Sequence, residues 1–301
     1  VIAALALAAA AASLLVGASG LGLPAPEILW LIRAPRAVLA VVCGAALGAS
    51  GASLQGLLRN RLADPGLLGF SGCAALGAVI AFYFAAEPLA LPVAALLGAG
   101  VGALLVLGLA RRADGTTLVL AGVALAALAS AAVTLALALA PSPFALAEIT
   151  TWLLGSFEDR APVHVALAAP PCLLGTALLV RDRAKLDALA LGEATAASLG
   201  VDPARLARRT AVGVALSVGG ATAAAGSIAF VGLVVPNLLR AAIGERPAAL
   251  VAPSAAGGAL LLVLADIAVR LIPTTAELRL GVLTALLGAP VLAWAAWRGR
   301  P

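Results

Sequence analysis

The chain has 301 residues, 63% of them hydrophobic and 11% charged, with a mean hydropathy of +1.13 and a formal net charge of +5. A soluble globular domain sits nearer half apolar and a quarter charged, so this chain has too little polar surface to cover itself in water. The positive charge fits the positive-inside rule of membrane proteins and needs no nucleic-acid partner; the partner that composition demands is a lipid bilayer. The apolar residues are chiefly Ala, Leu, Val and Gly, whose small side chains let helix backbones approach closely in a polytopic bundle. Cys43, Cys73 and Cys172 lie inside apolar runs without paired spacing, which predicts buried thiols rather than a metal site or disulfide framework. The lack of Met and the apolar first residue imply a missing N-terminal tail.

At about 20 residues per crossing the chain has room for about ten spans. Taken in order, these fall near 1–20, 37–57, 67–86, 91–110, 117–140, 163–180, 209–225, 228–243, 249–270 and 278–297. The first run lacks a basic leading segment and opens onto further spans, so it reads as a true helix rather than a signal peptide. Gly226 is the only clear break within 209–243, and the interrupted stretch Pro141 to Phe157 reads as a helix lying at the outer face.

The basic residues set the orientation. With the 58–66, 111–116, 181–208 and 244–248 loops and the C-terminus placed inside, 14 of the 19 Lys and Arg lie on or beside the cytoplasmic face. The other five are Arg33, Arg36, Arg160, Arg270 and Arg279. Acidic residues divide evenly, as the rule expects, and ten spans put both termini in the cytoplasm. The expected fold is thus an all-α integral membrane protein forming one polytopic domain over residues 1–301. Arg36 opens an Ala/Val/Gly run ending at Ser50-Gly51, and Arg209 opens a similar run, of opposite direction, ending near Gly226. This is either an inverted repeat of the kind transporters use or a chance likeness between Ala-rich helices.

Two polar segments stand out between the spans. Gly51 to Gly69 is a charged hairpin carrying Arg59, Asn60, Arg61 and Asp64 between two membrane-length apolar runs. The segment Arg181 to Arg209 predicts two short helices at about 188–206, with Asp187 as a cap, Gly200 as a stop and Pro203 as a new start. Such a knob is suited to a groove on another protein.

Six motifs in order carry a resemblance to a known family. They are Arg33-Ala-Pro-Arg36 with the hairpin, Leu120-Ala-Gly-Val-Ala-Leu125, Leu191-Gly192-Glu193, Phe230-Val-Gly-Leu-Val-Val-Pro236, Leu264-Ala-Asp266 through Arg270, and Gly281 through Pro290. Over essentially its whole length the chain resembles the iron-chelate and cobalamin uptake permeases of bacterial ATP-binding-cassette (ABC) importers. The resemblance implies a permease that pairs with a second copy of itself, two ATPase subunits and a periplasmic or extracellular substrate-binding protein, in the bacterial cytoplasmic (inner) membrane. It implies ATPase coupling through Leu191, Gly192, Glu193, Ala194, Leu199 and Gly200. It also implies a cytoplasmic gate at Asn60, Leu62, Gly115 and Thr116, and docking of the binding protein on Arg33, Arg36 and Arg270. For these arginines the residues alone leave open headgroup contact or a pair with an acid such as Asp266, one turn before Arg270. The chain departs from the family pattern at Arg61 (commonly Pro), Asn237 (commonly His) and Arg279 (commonly Pro).

The chain has no phosphate-binding Gly-x-x-x-x-Gly-Lys motif, so it is expected to be non-catalytic, without a cofactor, its energy supplied by separate ATPases. Gly69-Phe-Ser71-Gly resembles an intramembrane serine protease motif, but His164, the only His, begins a span from the opposite face. The rival from another class is an ion-coupled secondary transporter, which would carry ionisable residues near the bilayer midplane; the predicted span interiors lack them. The expected cargo is an iron chelate, a ferric siderophore or haem, with cobalamin as the alternative.

Overall fold

The computed structural model describes residues 1–17, 20–22, 25–84, 89–109, 115–272 and 278–298. Helices account for nearly all of them. In chain order they are α1 Ile2–Ser13, α2 Pro26–Ile28, α3 Ala34–Leu58, α4 Phe70–Phe84, α5 Ala90–Leu109, α6 Gly115–Ala138 and α7 Pro143–Leu153. They continue with α8 Pro162–Ala190, α9 Glu193–Ser198, α10 Pro203–Ala225, α11 Val231–Ile243, α12 Pro247–Leu271 and α13 Leu280–Arg298. A π-helical turn, Leu29–Arg33, joins α2 to α3 without a break, and a 3₁₀ turn, Pro65–Leu68, precedes α4. Among the described residues five helices are long and apolar enough to cross a membrane: Pro26–Leu58, Ala90–Gly108, Val119–Ala138, Pro162–Ala190 and Pro247–Leu271. Shorter apolar helices are Ile2–Ser13, Phe70–Phe84, Val231–Ile243 and Leu280–Val291.

Helix α3 is enclosed along almost its whole length, and α12 lies antiparallel to it. The contact is made by small residues. A Cβ placed on Gly44 would collide with the Gly258 carbonyl, and one on Gly48 with the Ser254 carbonyl. Backbones this close gain dispersion contacts that larger side chains would forbid, which suits an environment where water supplies no driving force between helices. The register places Arg36, at the start of α3, beside Asp266 near the end of α12, and Gly56, near the end of α3, beside Pro247 at the start of α12. Helix α10 is the second enclosed helix; it crosses α8 where Gly175 meets Gly213 and Ser217.

Three features differ from the sequence expectation. The first apolar run does not continue as helix to residue 20: α1 ends at Ser13, and Val16–Gly17 pairs with Gly20–Leu21 in a two-stranded antiparallel ladder. The chain turns because Arg33 and Arg270 draw the carbonyls of Ser13, Leu14, Val16 and Gly22 onto their guanidinium groups. Next, the predicted cytoplasmic loop 181–208 is mostly helix. α8 runs unbroken to Ala190, Gly200 stops the short helix α9 and Pro203 starts the next one as expected, but that second helix is the long α10 rather than a short one confined to 188–206. No breaker interrupts Arg181–Ala190, and buried Asp182 ties this extension to α10, accepting from Arg209 at 2.6 Å and Lys185 at 2.7 Å. Finally, Asp187 caps a different helix: its carboxylate accepts the Ala248 N–H of α12 at 2.8 Å and pairs with Arg246 at 2.9 Å.

Two other expectations appear as helices and breaks. Gly226, with φ +71°, ends α10, and an irregular link to Phe230 precedes α11. The stretch after Pro141 forms α7, capped by the Ser142 hydroxyl, which accepts the Ala145 N–H at 3.2 Å.

Candidate functional site

The predicted site residues other than Gly115 and Thr116 gather at the two ends of the α3–α12 pair. At one end lie the hairpin after α3, the end of α8, α9 and the turn from α11 to α12. At the other lie Arg33, Arg36, Asp266, Arg270 and the residue 13–22 turn.

Helix α9 is closed at both ends by glycine. Gly192 precedes it at φ +107° and Gly200 follows at φ +80°. The Val201 N–H reaches the Ala196 carbonyl at 2.9 Å and the Gly200 N–H reaches the Ala197 carbonyl at 3.0 Å, the paired bonds of a Schellman ending. Ala196 is buried and anchors the helix, while Leu191, Glu193, Ala194, Leu199 and Gly200 are exposed. Leu191 and Leu199 are 67% and 61% exposed. The result is a rigid knob with two bare leucines, all on one short connection between two long helices.

The hairpin begins where Arg59 turns out of α3 with a left-handed backbone, φ +50°. The exposed Asn60 caps the next turn, its side-chain oxygen accepting the Leu62 N–H at 2.9 Å. Asp64 caps the 3₁₀ turn by accepting the Gly66 N–H at 2.8 Å. Burial pushes the Asp64 carboxyl above its ordinary range, and the Gly66 hydrogen bond partly opposes this. A cavity of about 230 Å³ lies behind the hairpin, lined in part by Gln55, Arg59, Asn60, Arg61, Arg240 and Glu245. Gly115 and Thr116 open α6, but their side chains lie outside the described residues, as do Arg111 and Arg112.

At the far end, Arg36 donates from Nε to the Asp266 carboxylate at 2.8 Å, and Arg270 meets its other oxygen at 2.9 Å. The side chains of Arg36, Asp266 and Arg270 are 9%, 2% and 6% exposed. Arg33 is partly exposed and donates to the Leu14 and Gly22 carbonyls. Thus two of the three arginines read as a docking surface are held by a buried acid within the chain. Sequence spacing shows the Asp266–Arg270 pair; the Arg36 partner, 230 positions away, has no local signal.

The family departures also find partners. Asn237 donates to the Arg61 carbonyl at 3.1 Å, so two departures touch each other. Arg279 pairs with Glu158 at 2.6 Å. His164 accepts the Ala161 N–H through Nδ1 at 3.1 Å. Among the described residues no group of three or more His, Cys, Asp or Glu is placed to hold a metal ion.

A small-residue helical bundle with five helices long and apolar enough to cross a membrane defines a polytopic membrane protein. The chain belongs to the FecCD transport family, which it matches over residues 2–298. It is 41% identical over 275 residues to the vitamin B12 import system permease protein BtuC of Vibrio vulnificus, covering 89% of this chain and 82% of that one. To the hemin transport system permease protein HmuU of Yersinia pestis it is 40% identical over 285 residues, 90% and 84% of the two chains. To the Fe(3+) dicitrate transport system permease protein FecD of Escherichia coli it is 39% identical over 270 residues, 89% and 84% of the two chains. A solved metal-chelate type ABC transporter in an inward-facing conformation superposes with a TM-score of 0.90 at 30% identity, over 99% of this chain and 97% of that one.

Proposed function

We propose that this chain is the membrane-spanning permease subunit of a binding-protein-dependent ABC importer in the bacterial inner membrane. It carries a ferric siderophore or haem inward and contains no ATP-hydrolysing site of its own. The observation that carries the reading is the Schellman-closed knob α9, an exposed docking element on a chain that matches a transport-permease family almost end to end. In this reading two copies enclose a central path, ten helices per copy cross the bilayer as one domain, and both termini lie inside. The enclosed helices α3 and α10 head the two halves of an inverted repeat.

ATP-driven closure of two partner ATPases presses on Leu191, Gly192, Glu193, Ala194, Leu199 and Gly200. The motion reaches the cytoplasmic gate at Asn60, Leu62, Gly115 and Thr116. The binding protein docks at the outer end, where Arg33 is the available contact and Arg36, Asp266 and Arg270 keep that face in shape. Cobalamin is the second cargo reading, favoured by the 41% identity to a vitamin B12 permease.

Reconstitution into liposomes with the ATPase and the binding protein tests the proposal. Uptake is expected only when nucleotide and binding protein are both present. Uptake driven by a proton or sodium gradient alone would replace the importer with a secondary transporter, and the ligand measured on the binding protein decides the cargo.

A further inference from the structure

The hairpin that bears Asn60 and Leu62 is held from outside itself. Gln55 Nε2 donates to the Ala63 carbonyl at 3.3 Å, and Asn237 Nδ2 donates to the Arg61 carbonyl at 3.1 Å. Both amides are turned toward the hairpin by one guanidinium. Arg240 donates to Gln55 Oε1 and to Asn237 Oδ1, each at 2.6 Å. A guanidinium has only donors, so each amide presents its oxygen to Arg240 and its NH₂ bridges a hairpin carbonyl to a carbonyl of α11, Leu233 at 2.8 Å for Asn237 and Gly232 at 3.4 Å for Gln55. The planar fork of arginine serves both amides at once, which a lysine ammonium cannot reproduce in the same geometry.

Glu245, in the turn between α11 and α12, joins the two parts. Its carboxylate meets Arg61 of the hairpin at 3.1 Å and Arg240 at 3.6 Å. Arg61 and Glu245 are each 61% exposed, whereas the Arg240 side chain is only 11% exposed. The arrangement has a fixed centre and a releasable edge, because exposed ion pairs are weak and screened by salt. The cavity behind the hairpin lets water reach the groups that separate when the edge opens.

We infer that Arg240 is the positioning residue of the hairpin and that the Arg61–Glu245 pair is its releasable clasp, holding Asn60 and Leu62 in their resting place. The inference rests on the permease reading only for its consequence, that a loosened hairpin leaks substrate. Hairpin position is measured without transport. An Ala63→Cys reporter, at a hairpin position buried in the resting structure, is reacted in the full permease–ATPase complex with a membrane-impermeant maleimide; the native Cys43, Cys73 and Cys172 are buried.

Arg240→Gln should speed labelling on the order of tenfold, the shift in open population that loss of a charge-assisted hydrogen bond produces. Asn237→Ala removes a hairpin tie and one acceptor of Arg240 without changing the net charge, and should give a change in the same direction, which keeps the test decisive where Arg240→Gln fails to fold. Glu245→Gln should speed labelling roughly two- to fivefold, as expected for an exposed pair. Wild type in about 1 M salt, where the Debye length is about 3 Å, should show the same increase. The swap Arg61→Glu with Glu245→Arg should label more slowly than Arg61→Glu alone, because the exposed pair re-forms, but not as slowly as wild type, because Glu245→Arg also turns a like charge toward Arg240. Folded Asn237→Ala and Glu245→Gln proteins labelled at the wild-type rate in both salts would overturn the clasp. Faster labelling with no substrate leak in liposomes would uphold the clasp and remove the gate from the functional reading.

Discussion

The two ends of the α3–α12 pair use the same chemistry in opposite settings. Arg36, Asp266 and Arg270 form their ion pairs out of water, while Arg61 and Glu245 form theirs in it. The distances are nearly equal, 2.8 and 2.9 Å against 3.1 Å. What differs is the cost of separation. Opening the buried set strands charges in a medium that cannot solvate them, whereas opening the exposed pair exchanges one weak contact for hydration. One end is therefore built to stay as it is, and the other to come apart and re-form.

Removing the shared acid attacks the fixed end directly. Asp266→Ala leaves Arg36 and Arg270 buried without their carboxylate and should cost roughly 3–5 kcal/mol, read as a large fall in the unfolding midpoint in detergent. A midpoint equal to wild type would show that this end is as yielding as the other.

Gly200→Val strikes the knob at the hairpin end. Forcing a Cβ into the left-handed backbone costs about 1–2 kcal/mol, and no neighbour lies within 4 Å of the new Cβ to add a clash. The whole-protein midpoint should change little, while the ATPase should no longer co-purify. Undiminished co-purification would separate α9 from coupling.

Arg33→Glu sharpens the comparison at the fixed end, because Arg33 is the arginine there that does not share Asp266. An exposed charge contact is worth about 0.2–1 kcal/mol, so the binding protein should associate more slowly, most clearly at low salt; the unfolding midpoint should also fall, because the Leu14 and Gly22 carbonyls lose their donor, though less than when Asp266 is removed. Arg36→Glu and Arg270→Glu, by contrast, should unfold the protein before docking can be read. An Arg33→Glu association rate equal to wild type at both high and low salt would remove that residue from docking.

The smallest effect belongs to Asp64→Asn. Burial raises the folded pKa of Asp64 above its ordinary 3.8, so at higher pH the unfolded chain gives up this proton more readily than the folded one. That penalty is absent well below pH 3.8 and grows as pH rises through it toward the raised folded value. Asp64→Asn should match wild type in acid and be slightly more stable at neutral pH. A loss of stability at neutral pH would show that the charge on Asp64 is needed at the hairpin.

Much of the helical layout was legible because hydrophobic runs of membrane length leave few alternatives, and Gly226 and Gly200 act through backbone conformations that a side chain resists. The errors share a cause. Leu14, Leu15 and Val16 are as apolar as the helix before them, and arginine side chains from α12 and the turn before α3 hold the carbonyls of Ser13, Leu14 and Val16 out of the helix. Asp187 looks like a local cap in sequence but serves a helix 60 residues further on. Arg36 looks like surplus outer charge until Asp266 is brought beside it. Local rules see spacing along one helix; they do not see which helix will be its neighbour.

Asp187 sits one turn before α8 ends, six residues ahead of α9, and its carboxylate holds the first turn of α12. If α9 is pushed, the end of α8 must either drag α12 with it or strip the cap from the Ala248 N–H. Helix α12 has 25 residues and so extends about 37 Å, and it touches α3 near its middle through Gly258 and Ser254. A push at the knob therefore enters α12 at its first turn, while the backbone contact at its middle and the buried Asp266–Arg36 pair hold the rest of the helix to α3.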